Sequence, residues 1–187
     1  MKKVLVVSAH DTVMDSVATR YILDDLKARL PEATYTDLDT AYPDLMYTPE
    51  AVKAEQAKLE AADVIVLQFP FYWYSMPGAL HRWMEFVFEH GWSHGSTGDA
   101  LKGKTLIASF TTGAPDFFYA KDGFMRHDLE DYMAPFDSTC ALTQMNWGGF
   151  VATCGVGYND RKPENEAATR EKLTAHVDQL LAKIQAL

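Results

Sequence analysis

Four residues in unbroken succession, Phe71, Tyr72, Trp73 and Tyr74, stand between Pro70 and Pro77. Just before them, residues 63–67 are a short apolar run of the kind that forms a buried strand. Just after them, 78–89 reads as a helix, with Pro77 as its first residue because the missing N–H would be unpaired there anyway. The order is strand, aromatic loop, helix. In an open parallel sheet such a loop lies at the carboxyl edge, where ligands bind. Flat rings and free backbone amides at that edge suit a flat, polar-edged, electron-poor ligand, a description that a flavin ring meets. Aromatic residues also bury well as plain core, so the row alone does not decide between the two.

Two other loops carry chemistry of the same kind. Residues 10–19, from His10 to Ser16, Val17, Ala18 and Thr19, follow the first predicted strand and run into the first predicted helix. Hydroxyls and fresh helix N–H groups make an anion site there. No GxGxxG is present, and single hydroxyls suit a single phosphate, as on FMN. Asp15 or Ser16 is expected to cap the helix in either case. At the end of the fourth predicted strand come Thr111, Thr112, Gly113 and Ala114; the hydroxyls offer donors and acceptors, and glycine lets the backbone approach a ligand closely. Phe117, Phe118, Tyr119 and His127 follow within reach of the same edge, lining a pocket or meeting a neighbouring subunit.

Other spacings are coincidental. Residues 98–105 match the letters of a P-loop, yet Lys104-Thr105 opens a strand where the phosphate cradle requires a helix. His90 and His94 are four apart, but Gly91 and Gly95 oppose a continuous helix, and no metal site is expected. Cys140 and Cys154 sit among apolar neighbours and are read as buried structural thiols.

The elements that position these loops follow from hydrophobic periodicity. Strands are predicted over 4–8, 33–38, 63–67, 104–110 and 149–156, and helices over 17–30, 50–62, 78–89, about 124–133, and 163–187. Strands alternating with helices imply a parallel sheet with right-handed crossovers. The expected fold is α/β: a flavodoxin-like three-layer arrangement with a five-stranded parallel sheet in the order 2-1-3-4-5, as one domain over 1–187. The wide apolar stripe of 78–89 predicts a homodimer.

Composition narrows the partners. The 187 residues, 48% hydrophobic and 23% charged, suit one soluble core. A net charge of −9, from 26 acidic against 17 basic residues, argues against nucleic acid and anionic membranes. The apolar run after Lys2-Lys3 stops at His10-Asp11, too short for a secretory core, and a cytoplasmic location is expected.

Together these residues resemble the flavin-dependent NAD(P)H:quinone reductases of the DT-diaphorase and modulator of drug activity B type, and most of all the ancillary quinone reductases of glutathione-gated potassium efflux systems. The matching pieces are Ala9-His10 with Ser16-Val-Ala-Thr19, Tyr42-Pro43-Asp44, the run from Pro70 to Pro77, Phe88-Glu-His-Gly-Trp92, Ala100-Leu-Lys-Gly-Lys104 and Thr111-Thr-Gly113. The resemblance implies that His10, Ser16, Val17, Ala18 and Thr19 hold the flavin phosphate. It implies that Pro70, Phe71, Tyr72, Trp73 and Tyr74 line the ring, with Thr111, Thr112, Gly113 and Ala114 on its other edge. It further implies FMN or FAD as cofactor, NADPH or NADH as reductant, a quinone-like acceptor, and a possible membrane transporter as partner. Thr19 stands where the family usually has asparagine, and Ala114 where it has a second glycine. Tyr119 matches a catalytic tyrosine, but Met125 occupies the position of its histidine, leaving His127 as the nearby candidate. Two competing readings accompany the enzyme: a flavodoxin-type electron carrier, and a regulatory subunit docked on a transporter.

Overall fold

The computed structural model describes residues 2–10 and 16–187. The strands are β1 (Val4–Ser8), β2 (Thr34–Asp37), β3 (Val64–Pro70), β4 (Thr105–Thr111) and β5 (Asn146–Thr153). They form a single five-stranded sheet in the order β2-β1-β3-β4-β5, with every pairing parallel. The helices are α1 (Val17–Arg29), α2 (Leu38–Ala41), α3 (Pro49–Ala61), α4 (Gly78–Val87), α5 (Ala134–Thr143) and α6 (Glu166–Gln185).

Alternation along the strands sorts the side chains into two cores. Leu5, Val7, Ile65, Leu67, Phe69, Ala108 and Phe110 face one side, packed with Leu59, Leu80, Trp83 and Phe136 from α3, α4 and α5. Val4, Val6, Val64, Val66, Ile107 and Val151 face the other, under Ile22, Leu26, Leu173, Val177 and Leu180 of α1 and α6. Both faces are covered, which is why β1, β3 and β4 read as continuous apolar runs rather than alternating ones.

Four boundaries differ from expectation, each for a local reason. β3 runs three residues past Leu67 to Pro70. Ala9 N–H donates to Gln68 O, so even-numbered residues there turn their backbone toward β1. β1 ends opposite Gln68, and the missing N–H of Pro70 therefore costs no ladder bond. Pro77 is the N-cap of α4 and not its first helical residue. The helix expected near 124–133 is a 3-10 turn, Leu129–Met133, that leads into α5; Pro135 falls in the first turn of α5, where a proline is tolerated. β5 begins and ends three residues earlier than its glycines suggested. Gly148 and Gly149 lie inside it at a register irregularity, and Gly149 takes φ +78.

The apolar stripe of α4 is largely absorbed within the chain. Ala79, Leu80, Trp83 and Val87 are buried. Phe86 stacks on Tyr47 at 5.6 Å beneath the Arg82 guanidinium, and Phe88 meets Trp83 edge-on at 5.7 Å. Trp83 is the anchor of this face: its indole donates to Glu55 Oε2 at 3.1 Å, and the same carboxylate accepts from Tyr42 and Lys58. Lys104, from the P-loop look-alike, donates to the Glu60 and Ala62 carbonyls at the end of α3. Trp83→Ala is expected to cost about 3–5 kcal/mol through lost packing and the orphaned carboxylate, read as a lowered urea midpoint.

Candidate functional site

The carboxyl ends of the strands open into a cleft of about 550 Å³, lined by His10, Ser16, Val17, Ala18, Pro70, Phe71, Tyr72, Thr111, Gly113 and residues 156–160. Each wall has its own construction. At one end, Ser16 caps α1 by accepting the Thr19 N–H at 3.0 Å, which leaves the Val17 and Ala18 amides of the first turn without helical acceptors. Thr19 lies behind them, buried, and its hydroxyl has no partner among the described residues. An unpaired buried hydroxyl beside free helix amides is the donor set that a phosphate completes. Asp15, the other candidate cap, lies outside the described residues, as do 11–14 of the same loop.

The aromatic loop is a tight turn closed by two reciprocal backbone bonds between Tyr72 and Ser75, each 3.0 Å. Trp73 and Tyr74 occupy its centre with φ of 48 and 65, a left-handed conformation that side chains rarely adopt. The turn therefore splits the row. Phe71 faces inward, stacking on Phe110 at 4.9 Å, and the Tyr72 hydroxyl lies 3.1 Å from His10 Nε2 across the cleft. Trp73 projects outward, 92% exposed, and Tyr74 leaves the cleft to stack on Tyr132 at 5.4 Å. The free amides and rings that were expected together thus divide into an inner pair and an outer pair.

On the far side, Thr111 and Gly113 line the cleft, while Thr112 is buried behind them with its hydroxyl donating to Ala114 O at 2.7 Å. Ala114 stands off the cleft and accepts from Gly155 N–H. Residues 156–160 form the remaining wall, which the sequence reading missed. Their signal was Gly155-Val-Gly157-Tyr158 after a strand, the same logic as Thr111 to Gly113; an expected strand end at 156 took in Gly155 and Val156 and left 157–160 as a plain connection.

Tyr119 lies next to the cleft and not in its lining. Its ring meets the edge of Phe71 at 6.2 Å, and it borders a neighbouring groove with Leu129 and Cys154. Burial raises its pKa, partly offset by a hydrogen bond with Thr112. His127 sits further out, exposed, with Nδ1 3.3 Å from Asp131 Oδ2 and its ring against Tyr132 at 5.7 Å. Burial pushes the Cys140 thiol up to about 12 and raises Cys154 less.

The floor beneath Thr111 is polar and sealed. Gln68, Ser109 and His176 are each buried, with Thr153 beside them. Burial lowers the His176 pKa to about 4. The folded protein holds this ring neutral down to that pH, whereas the unfolded chain takes up the proton near 6.5. Stability is therefore complete above about pH 6.5 and falls as pH drops toward 4, by up to about 3 kcal/mol. The check is the difference in urea midpoint between pH 7 and pH 4.5, which should be smaller in His176→Gln.

The chain belongs to the family described by its flavodoxin-like fold, whose model matches residues 2–177. It is 41% identical over 145 residues to the glutathione-regulated potassium-efflux system ancillary protein KefG of Cronobacter sakazakii (strain ATCC BAA-894), covering 78% of this chain and 77% of that one. Among solved structures it resembles general stress protein 14 of Treponema denticola in complex with FMN, with TM-score 0.85 and 25% identity, over 97% of this chain and 99% of that one. An NADPH-quinone reductase of P. pentosaceus shares the fold, with TM-score 0.77 and 24% identity over 95% of this chain and 96% of that one. Among the described residues, no helix is long and apolar enough to cross a membrane.

Proposed function

We propose that the protein is a flavin-dependent NAD(P)H:quinone oxidoreductase working by two-electron ping-pong transfer. The observation that carries this reading is one continuous cleft with opposite chemistries at its two ends. Helix amides without helical acceptors, beside a Thr19 hydroxyl that has no partner among the described residues, call for an anion, and Phe71 and Tyr72 offer flat faces. FMN in the Treponema denticola protein and the quinone reductase name of the P. pentosaceus one support the same reading.

A bound flavin supplies the redox chemistry, and the chain supplies binding, orientation and charge. Ser16, Val17, Ala18 and Thr19 hold the phosphate, with His10 and Tyr72 closing over the intervening span. Pro70, Phe71, Thr111 and Gly113 bracket the ring, backed by Thr112 and Ala114. Tyr119, at the edge of Phe71, offers a hydrogen bond or proton to the reduced acceptor. His127 would act only through Tyr132. A second groove, between α1 and α6, shares Val17 and Asp160 with the cleft; it would receive the adenylate of FAD, whereas FMN would stop short of it. Trp73, on the loop after β3, and Phe117 and Phe124, beyond the end of β4, are 92%, 69% and 77% exposed, which suits a homodimer. A cytoplasmic setting and a quinone-like acceptor complete the reading.

The name of the Cronobacter sakazakii relative favours a second role, docking on a potassium-efflux transporter, which co-purification with such a transporter would test. The flavin reading predicts a yellow protein whose released cofactor is FMN or FAD by mass, and steady NADH or NADPH oxidation with menadione. A preparation that stays colourless after soaking with both flavins refutes it; flavin without turnover leaves only an electron carrier. Tyr119→Phe should slow menadione reduction by about tenfold or more while retaining flavin. Unchanged turnover would remove Tyr119 from the mechanism.

A further inference from the structure

Between the sheet and α6, four polar side chains form a chain across the ends of three strands. Thr153 Oγ1 lies 2.9 Å from His176 Nδ1, His176 Nε2 lies 2.8 Å from Ser109 Oγ, and Ser109 donates to Gln68 Oε1 at 2.6 Å. Donor chemistry sets the direction. The single Ser109 proton goes to the carboxamide oxygen, so the Ser109 oxygen accepts from His176 Nε2–H. A neutral imidazole protonated at Nε2 has a bare Nδ1, which accepts from the Thr153 hydroxyl. The lowered pKa of the ring agrees with a neutral form.

The side chains of this chain lie outside the cleft lining, but both ends belong to segments that lead into its walls. Thr153 is the root of the loop whose residues 156–160 form one wall, and its carbonyl also accepts from Thr112 N–H behind the opposite wall. Gln68 lies two residues before Pro70 in β3. Held through its oxygen, its carboxamide turns the NH₂ group away from Ser109; that nitrogen is buried and has no partner among the described residues. A buried amide without a partner is costly, so its persistence calls for a ligand or a function.

We propose that His176 is a positioning residue for the cofactor cleft, a role that rests on the flavin reading. As the Nε2–H tautomer it fixes Thr153 at the base of the 156–160 wall. It also commits the Gln68 carboxamide to presenting donors, not an acceptor, beneath the floor. The imidazole thereby shapes the cleft from behind, through the root of the 156–160 wall and the strand that ends in Pro70, without touching the cofactor.

Two variants test the donation to Ser109. Glutamine places its amide where Nε2 stands and restores that donation; leucine does not. FMN affinity, measured by quenching of flavin fluorescence, should fall about tenfold or more in His176→Leu, with His176→Gln within about threefold of the parent. The ¹⁵N shifts of the His176 ring in the flavin-free parent should report the neutral Nε2–H form, a readout that no variant's folding affects. Equal FMN affinity in the parent and His176→Leu, equal losses in the leucine and glutamine variants, or an Nδ1–H ring would overturn the positioning role. A parent that takes up neither FMN nor FAD overturns the flavin reading, and the positioning role with it, whatever the tautomer.

Discussion

Backbone hydrogen bonds that continue past the regular sheet hold the cleft together. Phe71 N–H donates to Thr111 O, Thr112 N–H to Thr153 O, and Val156 N–H back to Thr112 O. Each links the loop or strand end of one strand to that of its neighbour, so the loops after β3, β4 and β5 behave as extensions of a rigid layer. A parallel sheet brings every such end to the same edge, and the covered faces leave that edge as the place where polar groups can converge on a ligand. The remainder of the cleft, the capped start of α1, is tied to the same edge through β1.

The aromatic loop shows what this rigidity allows. Two consecutive non-glycine residues at positive φ are a local cost, and reciprocal Tyr72–Ser75 bonds maintain them. The conformation aims Phe71 and Tyr72 inward and Trp73 outward. Ring contacts then spread from Phe71 through Tyr119 and Tyr132 to Tyr74 and His127, so the cleft merges with an exposed aromatic surface.

Polar groups in the interior divide by role. Glu55 is buried but satisfied by Trp83, Tyr42 and Lys58, and it pins α3, α4 and the 42–48 loop. Thr19, Asp37, Tyr47 and Gln68 each bury an atom with no partner among the described residues; Thr19 follows Val17 and Ala18 of the cleft wall, and Gln68 lies two residues before Pro70. An unpaired buried donor opposes folding, so Thr19 and Gln68, the two nearest the cleft in sequence, are where a ligand would relieve the cost.

Much of this was legible in the residues themselves. The apolar runs of β1, β3 and β4 announce strands buried on both faces, and the strand–helix alternation admits few topologies, so sheet order and the Ser16 cap of α1 followed from local pattern. Other features needed the third dimension. The Gly148–Gly149 pair looks like a boundary, and only pairing with β4 makes it a bulge inside β5, which frees Gly155 and Val156 to begin the loop that walls the cleft. Likewise, helical periodicity puts His176 on a buried face of α6 but cannot name Ser109 and Thr153 as its partners. Local sequence determines which elements form and which faces are apolar, since those depend on neighbours three or four positions away. Which polar atoms meet is decided by packing between segments tens of residues apart, and the site is made of such meetings.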